Sequence, residues 1–324
     1  MTNGIQDIPL TDIDTTDHAF IFTYHPEMHA LERSVARAGV VTPLHLRQRS
    51  AHAPLQVVCG SKRVLACQQT GHCRVPAQVH KAEALPEEQA FLLSVYDNIG
   101  CRTLNAVEKG RILRRLRDDF GYPPSRLVAE FCPLLALPPR PATVEALCTL
   151  VTLDDPLQAA VVEGPLPLET ALWIGRHVAA DREALLRLFT GLKLSSSRAR
   201  EFATQIADVC RRDACSPAAL LERLGILAVL TDPQLDGPQK HERVRRLLYT
   251  ARYPRLSAHE QRLHDTLRRL RLPSQLSLRP PPYFEGTQYQ VSFSFQTRQE
   301  LHQIVQRLQA IAADKALDDL LALL

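Results

Sequence analysis

The sequence predicts an α+β protein: a small mixed α/β N-terminal domain, a long all-helical middle and a C-terminal strand–helix unit. Three observations carry this. Short strand and helix signals alternate through the first ninety residues, helical periodicity then runs almost unbroken, and "TQYQVSFSF" near the end alternates apolar and polar residues as a strand does. Composition shifts divide the chain into 1–84, 85–178, 179–280 and 281–324.

Taken in order, Met28, Leu31, Val35 and Ala38 share one helical face, and Gly39 follows as a C-cap. "VVTPLHLRQ" is strand-like, Gln48 to Pro54 is a polar loop, and "LQVVC" is a short buried strand. Gly60 turns the chain into a helix from Lys62 to Thr70, Gly71 closes it, and "VPAQVH" is another strand. Pro86 and two acids open a helix over "PEEQAFLLSVYDN". In "NAVEKGRILRRLRDDF", Asn105 and Glu108 have capping-box spacing, and Ile112, Leu113, Leu116 and Phe120 share a face opposite a row of basic residues. Helical patterns continue to residue 275, interrupted by the proline-rich "CPLLALPPRPA", with Ser195 to Ser197 as a cap. In the last segment Tyr289, Val291, Phe293 and Phe295 form one apolar strand face, which the helix "RQELHQIVQRLQAIAA" can cover.

Composition narrows the function. With 45% hydrophobic and 23% charged residues in 324, the chain is that of a soluble globular protein. Its 39 basic and 35 acidic residues give a formal charge of +4, compatible with a nucleic-acid partner without demanding one. Eight dispersed cysteines include no CxxC pair, which speaks against a zinc ribbon or a secreted disulfide framework, and no structural metal is expected. The start lacks a signal-peptide pattern and no apolar run is long enough to span a membrane, so the expectation is a cytoplasmic protein with no membrane role, nucleoid-associated if it meets DNA. The motifs GxxxxGK[ST], GxGxxG and HExxH are absent. From Lys240 to Leu272 ten Lys/Arg stand against three Asp/Glu, an excess suited to phosphates or simply a solvated face.

The most informative stretch is "LQVVCGSKRVLACQQTGHCRVPAQV". A glycine lets backbone approach a ligand, a helix's first turn presents free N–H groups and partial positive charge, and Lys62 and Arg63 add two cations. This is a phosphate cradle or an ordinary charged helix start; the local pattern fits both.

Context resolves the choice. "VVCGSKRVLACQQTGHCRVPAQV" followed by "FLLSVYDNIGCRTLNAVEKGRIL" resembles the N-terminal domain of the ParB (Spo0J-like) partition proteins, with their strand–GERR–helix motif, their ENLQR motif and the leucine–asparagine pair beyond it. Here Gly60-Ser61-Lys62-Arg63 stands at the first motif, Asp97-Asn98-Ile99 at the second, and Leu104-Asn105 at the pair. "IPLTDID" and "LERSVARAGVVTPLHLR" are also similar to the family's start. "FGYPPSRLVAEF" with "TVEALCTLVTLDDPLQAAVVEGPLPLETALWI" looks like its helix-turn-helix region and following helices. The likeness spans about residues 5 to 178.

The resemblance implies a sulfiredoxin-like fold that binds CTP with magnesium, and a dimer that closes around DNA. By position Gly60, Ser61, Lys62 and Arg63 would hold the triphosphate, with Asp97 beside it and Asn98 near the phosphates and metal. DNA contacts would fall to Arg140 and Thr143 at the recognition helix and to Arg114 and Arg115 on the basic helix. A ParA-type ATPase is a further partner implied, although the basic arm that family members use for it is absent from the N-terminus. Ser61 replaces the motif glutamate tied to hydrolysis, and Lys62 replaces an arginine, so at most weak CTP hydrolysis is expected. Cys101 takes the place of the ENLQR arginine, with Arg102 one residue later. A phosphotransferase or nuclease on the same fold, with Asp97 as base, and an interaction protein that has lost its ligands remain alternatives.

Overall fold

The structure is a computed structural model and describes residues 4–322. The chain forms two compact units, one up to Val178 and one from Ala179.

The first unit begins with β1 (Gln6–Pro9), β2 (Ile13–Asp14), α1 (His29–Ala38), β3 (Leu44–Gln48), β4 (Leu55–Cys59), α2 (Ser61–Thr70) and β5 (Arg74–Lys81). The strands make one five-stranded sheet in the order β1-β5-β3-β4-β2. β3 runs parallel to β5 and antiparallel to β4, with an irregularity between His45 and Leu46. β1 and β2 occupy opposite edges, although only the 3-10 turn Leu10–Asp12 separates them. A flat sheet of five strands is about 19 Å wide between its edge strands, and a 3-10 turn of three residues advances about 6 Å. The sheet therefore curls until its edges approach one another.

The apolar side chains of the sheet fall into two clusters. Leu44 and Leu46 of β3, Val57 of β4 and Val75 and Ala77 of β5 pack with Val35 of α1 and with Val64, Ala66 and Cys67 of α2. Val58 and Cys59 instead join a larger core with Ala90, Phe91 and Val95 of α3 (Glu87–Cys101).

α4 (Ala106–Asp118) starts with the expected capping box: the Asn105 side chain accepts the Glu108 N–H, and the Glu108 carboxylate accepts the Asn105 N–H. Beyond α4 the chain folds as α5 (Pro124–Arg126), a π-turn at Leu127–Phe131 and α6 (Cys132–Leu134), which opens the proline-rich stretch. Pro133 has no N–H to continue the α-helical ladder, and a wider turn is one way to absorb that loss. α7 (Pro141–Leu150) follows, then α8 (Asp155–Val162) and α9 (Leu168–Ile174). α4 and α7 cross at Gly110, where an added Cβ would lie 2.4 Å from the Leu147 carbonyl oxygen and 2.8 Å from Val151 Cγ1. Only a bare α-carbon allows that approach.

The second unit contains α10 (Ala179–Leu192), α11 (Ser196–Asp213), α12 (Pro217–Arg223), α13 (Ile226–Thr231), α14 (Gly237–Arg252), α15 (Pro254–Leu270), β6 (Leu276–Arg279), β7 (Gln290–Phe293), α16 (Arg298–Ala312) and α17 (Lys315–Leu321). β6 is a strand the sequence pattern did not announce, and it pairs antiparallel with β7. α16 and α17 cover Leu276 and Leu278, with Ile304, Ile311 and Leu320 completing that core. The expected cover over the aromatic strand is thus only partial. Tyr289 packs inward, but Val291, Phe293 and Phe295 remain 43%, 42% and 50% exposed. Val291 and Phe293 pair in register with Leu278 and Leu276 and so share their face, but the helices bury only the β6 side of it.

Candidate functional site

The turn between β4 and α2 is set by Gly60, whose φ is +101°. A Cβ there would also fall 2.3 Å from Leu44 Cδ2. Two constraints, backbone and steric, therefore demand glycine where the strand hands over to the helix. The N–H groups of Arg63 and Val64 already donate to the Gly60 carbonyl at 2.9 and 3.1 Å. Those of Ser61 and Lys62 are left at the helix start.

The two cations of the turn go to different neighbours. Arg63 Nη1 donates to the Pro43 carbonyl at 2.9 Å and also to that of Thr42, fastening the loop before β3. On this flank the Asp97 carboxylate and the Arg63 guanidinium both bear on Cys59 and His45. Burial, with Asp97 adding to it, pushes the Cys59 thiol up to about 12, which keeps it protonated and unreactive at neutral pH. Asp97 itself makes no side-chain hydrogen bond or ion pair among the described residues.

Lys62 takes the other flank. Burial and the nearby Arg102 charge hold its ammonium below its ordinary value, with Glu108 opposing them. Arg102 follows α3 and reaches in two directions. Its Nε donates to Asn98 Oδ1 at 3.0 Å, and its Nη1 pairs with Glu108 Oε2 at 2.7 Å. Asn98 Nδ2 meanwhile donates to the Ser94 carbonyl at 2.9 Å. Glu108 is 1% exposed and also accepts the backbone N–H of Tyr24 at 3.1 Å. The remaining Arg102 nitrogen, Nη2, is buried with no hydrogen-bond partner among the described residues. A buried guanidinium N–H₂ costs free energy unless an acceptor satisfies it, and a charged acceptor makes the stronger bond. Ser61 and Lys62 also line a cavity of about 210 Å³, walled by Val57, Val64 and Leu65 and by the loop from Asp14 to Pro26.

The structure thus gathers Gly60, Ser61, Lys62, Asn98 and Arg102 on one flank of the helix start, and Arg63 and Asp97 on the other. In the sequence Arg102 stands out only as the arginine one place beyond the ENLQR position, and its partners are not legible there. Glu108 was legible only as a capping residue, and its pairing with Arg102 crosses the turn between two helices. Among the described residues no group of three or more His, Cys, Asp or Glu side chains is placed to hold a metal ion. Asn98 Oδ1 already accepts from Arg102, so a cation there would compete with a guanidinium. A site of this composition suits phosphate oxygens.

The other candidate residues lie on α4 and α7. Arg115 sits over the rings of Phe91, Phe120 and Phe20, with its guanidinium carbon 4.9, 5.6 and 5.7 Å from their centroids, and pairs with Glu87 at 3.0 Å. Arg114 is exposed and pairs with Asp118 at 3.2 Å. Arg140 is the exposed N-cap of α7, and Thr143 is half-buried in its first turn. The outer side of α7 is otherwise neutral or acidic, with Glu145 bound to Arg117 at 3.1 Å.

A family model described as the ParB N-terminal domain matches residues 1–99. The probable chromosome-partitioning protein ParB of Pseudomonas putida is 28% identical over 141 residues, which are 44% of this chain and 45% of that protein. That of Coxiella burnetii is 29% identical over 93 residues, 29% of this chain and 30% of that one. The matched part is therefore less than half the length of these relatives. Among solved structures, C-terminally truncated ParB from Caulobacter crescentus complexed to the centromeric parS site aligns at 18% identity over 62% of this chain and 99% of that chain, with a TM-score of 0.38. The same protein complexed with CTP-gamma-S aligns at 22% identity over 57% and 98%, with a TM-score of 0.27. No helix among the described residues is long and apolar enough to cross a membrane.

Proposed function

We propose that this chain, whose residues 1–99 match the ParB N-terminal domain, is a ParB-like DNA-associated protein acting in DNA partition, and that it holds a nucleotide, CTP by its kinship, at the start of α2. The buried, unpartnered Nη2 of Arg102 beside Lys62 carries this reading. A triphosphate bound across the Ser61 and Lys62 N–H groups would satisfy that nitrogen and shield two like charges held close together. Magnesium would arrive with the nucleotide, whose phosphates supply most of its ligands. Asp97, which bears with Arg63 on Cys59 and His45, is a carboxylate without a side-chain hydrogen bond among the described residues and is better suited to the ion than Asn98.

Hydrolysis is expected to be weak. Ser61 cannot serve as a carboxylate base, and the Cys59 thiol is held protonated. Arg140 and Thr143 are the side chains offered to DNA from α7, with Arg114 alongside on α4. Arg115 is given over to three aromatic rings and contributes less.

The exposed Val291, Phe293 and Phe295 fit a second copy of this chain. β6 and β7 make a two-stranded sheet, marginal by itself, and β7 leaves one edge of backbone groups unpaired. Two β7 strands meeting across a two-fold axis would extend the sheet and cover both apolar faces.

Calorimetric titration with CTP, ATP and GTP in magnesium tests the nucleotide site. CTP is expected to bind, and Lys62→Ala to weaken it at least tenfold (about 1.4 kcal/mol). Lys62 is the cleaner target, because removing Arg102 would strand the buried Glu108 charge. No binding at millimolar nucleotide would sink the proposal.

A further inference from the structure

The turn between α11 and α12 brings together two of the eight cysteines, both outside the residues 1–99 that match the ParB N-terminal domain. α11 ends at Asp213, and Ala214 follows in the left-handed conformation with φ +50°. The N–H groups of Ala214 and of Cys215, the latter at 3.1 Å, both donate to the Cys210 carbonyl. A helix end closed in this way folds the residue after the turn back onto the last helical turn, so that their side chains meet. Apolar side chains usually make that contact. Here two thiols make it, with Cys215 close enough to act as a side-chain hydrogen-bond partner of Cys210.

A disulfide needs α-carbons about 4.4–6.8 Å apart, and a turn closed by that hydrogen bond holds its first and last residues at such a separation. The neighbouring groups keep the turn in place. Asp213 pairs with Arg223 at 2.6 Å, tying the end of α11 to α12. Ser216 caps α12 by accepting the Ala219 N–H at 3.2 Å, and Asp181 of α10 accepts that of Ala218 at 2.9 Å. Both cysteines are half-buried, so neither is sealed from solvent. No other cysteines among the described residues are so placed. Cys67, Cys132 and Cys148 are buried, Cys73 turns its thiol to the Gly71 carbonyl, and Cys101 bears on Cys59 only through charge.

We propose that Cys210 and Cys215 are a reversible modification site, a dithiol that low-molecular-weight disulfides such as oxidised glutathione convert to an intramolecular disulfide. The Cys215 thiolate attacks one sulfur of the small disulfide, whose S–S bond breaks and releases one small thiolate. The Cys210 sulfur then attacks Cys215 in the mixed disulfide, forming the protein S–S bond and expelling the second small thiolate. The two protons given up by the cysteines end on the two released thiols, and the two electrons reduce the small disulfide. Burial and then the Cys215 charge push the Cys210 thiol up to about 12, which makes Cys210 the poorer first nucleophile. Once Cys215 is capped, the second of those causes is gone and the target sulfur is already in contact. The site depends on neither the nucleotide nor the DNA reading.

The test treats folded full-length protein with oxidised glutathione, blocks the remaining thiols with N-ethylmaleimide and digests with trypsin for mass spectrometry. Arg211 and Arg212 lie between the two cysteines, so trypsin separates 201–211 from 213–223 unless a disulfide joins them. The expected result is the joined pair, lighter by two hydrogen atoms than the sum of the reduced peptides, and its loss with dithiothreitol. Cys210→Ser should trap glutathione on Cys215, and Cys215→Ser should leave Cys210 without it; the reverse pattern would overturn the order of attack. Wild-type peptides that stay separate, carrying free thiols or one glutathione each, would overturn the proposal. Joined peptides that form only after the protein is unfolded in urea would do so as well.

Discussion

His45 and His80 face each other across β3 and β5, with Nδ1 of one 3.1 Å from Nε2 of the other and the rings stacked. Burial holds both imidazoles below their ordinary value of 6.5. For His45 the neighbouring His80 and Arg63 add to the effect, and Asp97 opposes it. A depressed value in the folded state means that protonation favours the unfolded chain. The stability contributed by the pair is therefore complete above about pH 6.5 and is lost as pH falls below it. Urea unfolding should show a lower midpoint at about pH 5.5 than at about pH 7.5, and His80→Gln should narrow the gap. An equal gap in wild type and variant would assign the pH dependence elsewhere. At this scale the sequence was informative where chemistry is local: Gly39, Gly60 and Gly71 punctuate the helices as read, all with positive φ. It marked Arg102 only as an arginine displaced by one place from the ENLQR position, because the partners that give that residue its meaning are fixed by tertiary packing.

The crossing of α4 and α7 sets two effects against each other at Gly110. Alanine is the better helix former by about 1 kcal/mol. Its methyl group, however, would press on the Leu147 carbonyl, which belongs to backbone and cannot swing aside. Overpacking of this kind costs about 1–3 kcal/mol or more, so the contact wins. Gly110→Ala should lower stability by about 1–2 kcal/mol in chemical denaturation, and a stabilised variant would mean that the two helices slide apart easily. Elements with strong local signals, such as the Asn105 capping box and the α2 boundaries, were legible from sequence. β6 was not, because its four residues, Leu276 to Arg279, lie between Pro273 and the prolines from 280 to 282 and alternate too briefly to register. The π-turn at Leu127–Phe131 was also unread, since ordinary helical periodicity covers it.

For the whole molecule, the proposed dimer makes a direct prediction. Phe293→Asp puts a charge in the middle of the exposed apolar strand and should convert a dimer to a monomer in sedimentation equilibrium. Retention of the dimer would move the contact to another surface. The curled sheet of the first unit has a different consequence, one of timing. β1 leaves the ribosome before β5, yet β5 is its strand neighbour, with Gln6 opposite Ala77. β2 must likewise await β4, with Ile13 opposite Leu55. Residues 6–14 close both edges of a sheet whose middle has not yet been synthesised. Such long-range pairing slows folding, and it leaves the Gly60 turn without its surrounding strands until the chain has doubled back on its own beginning.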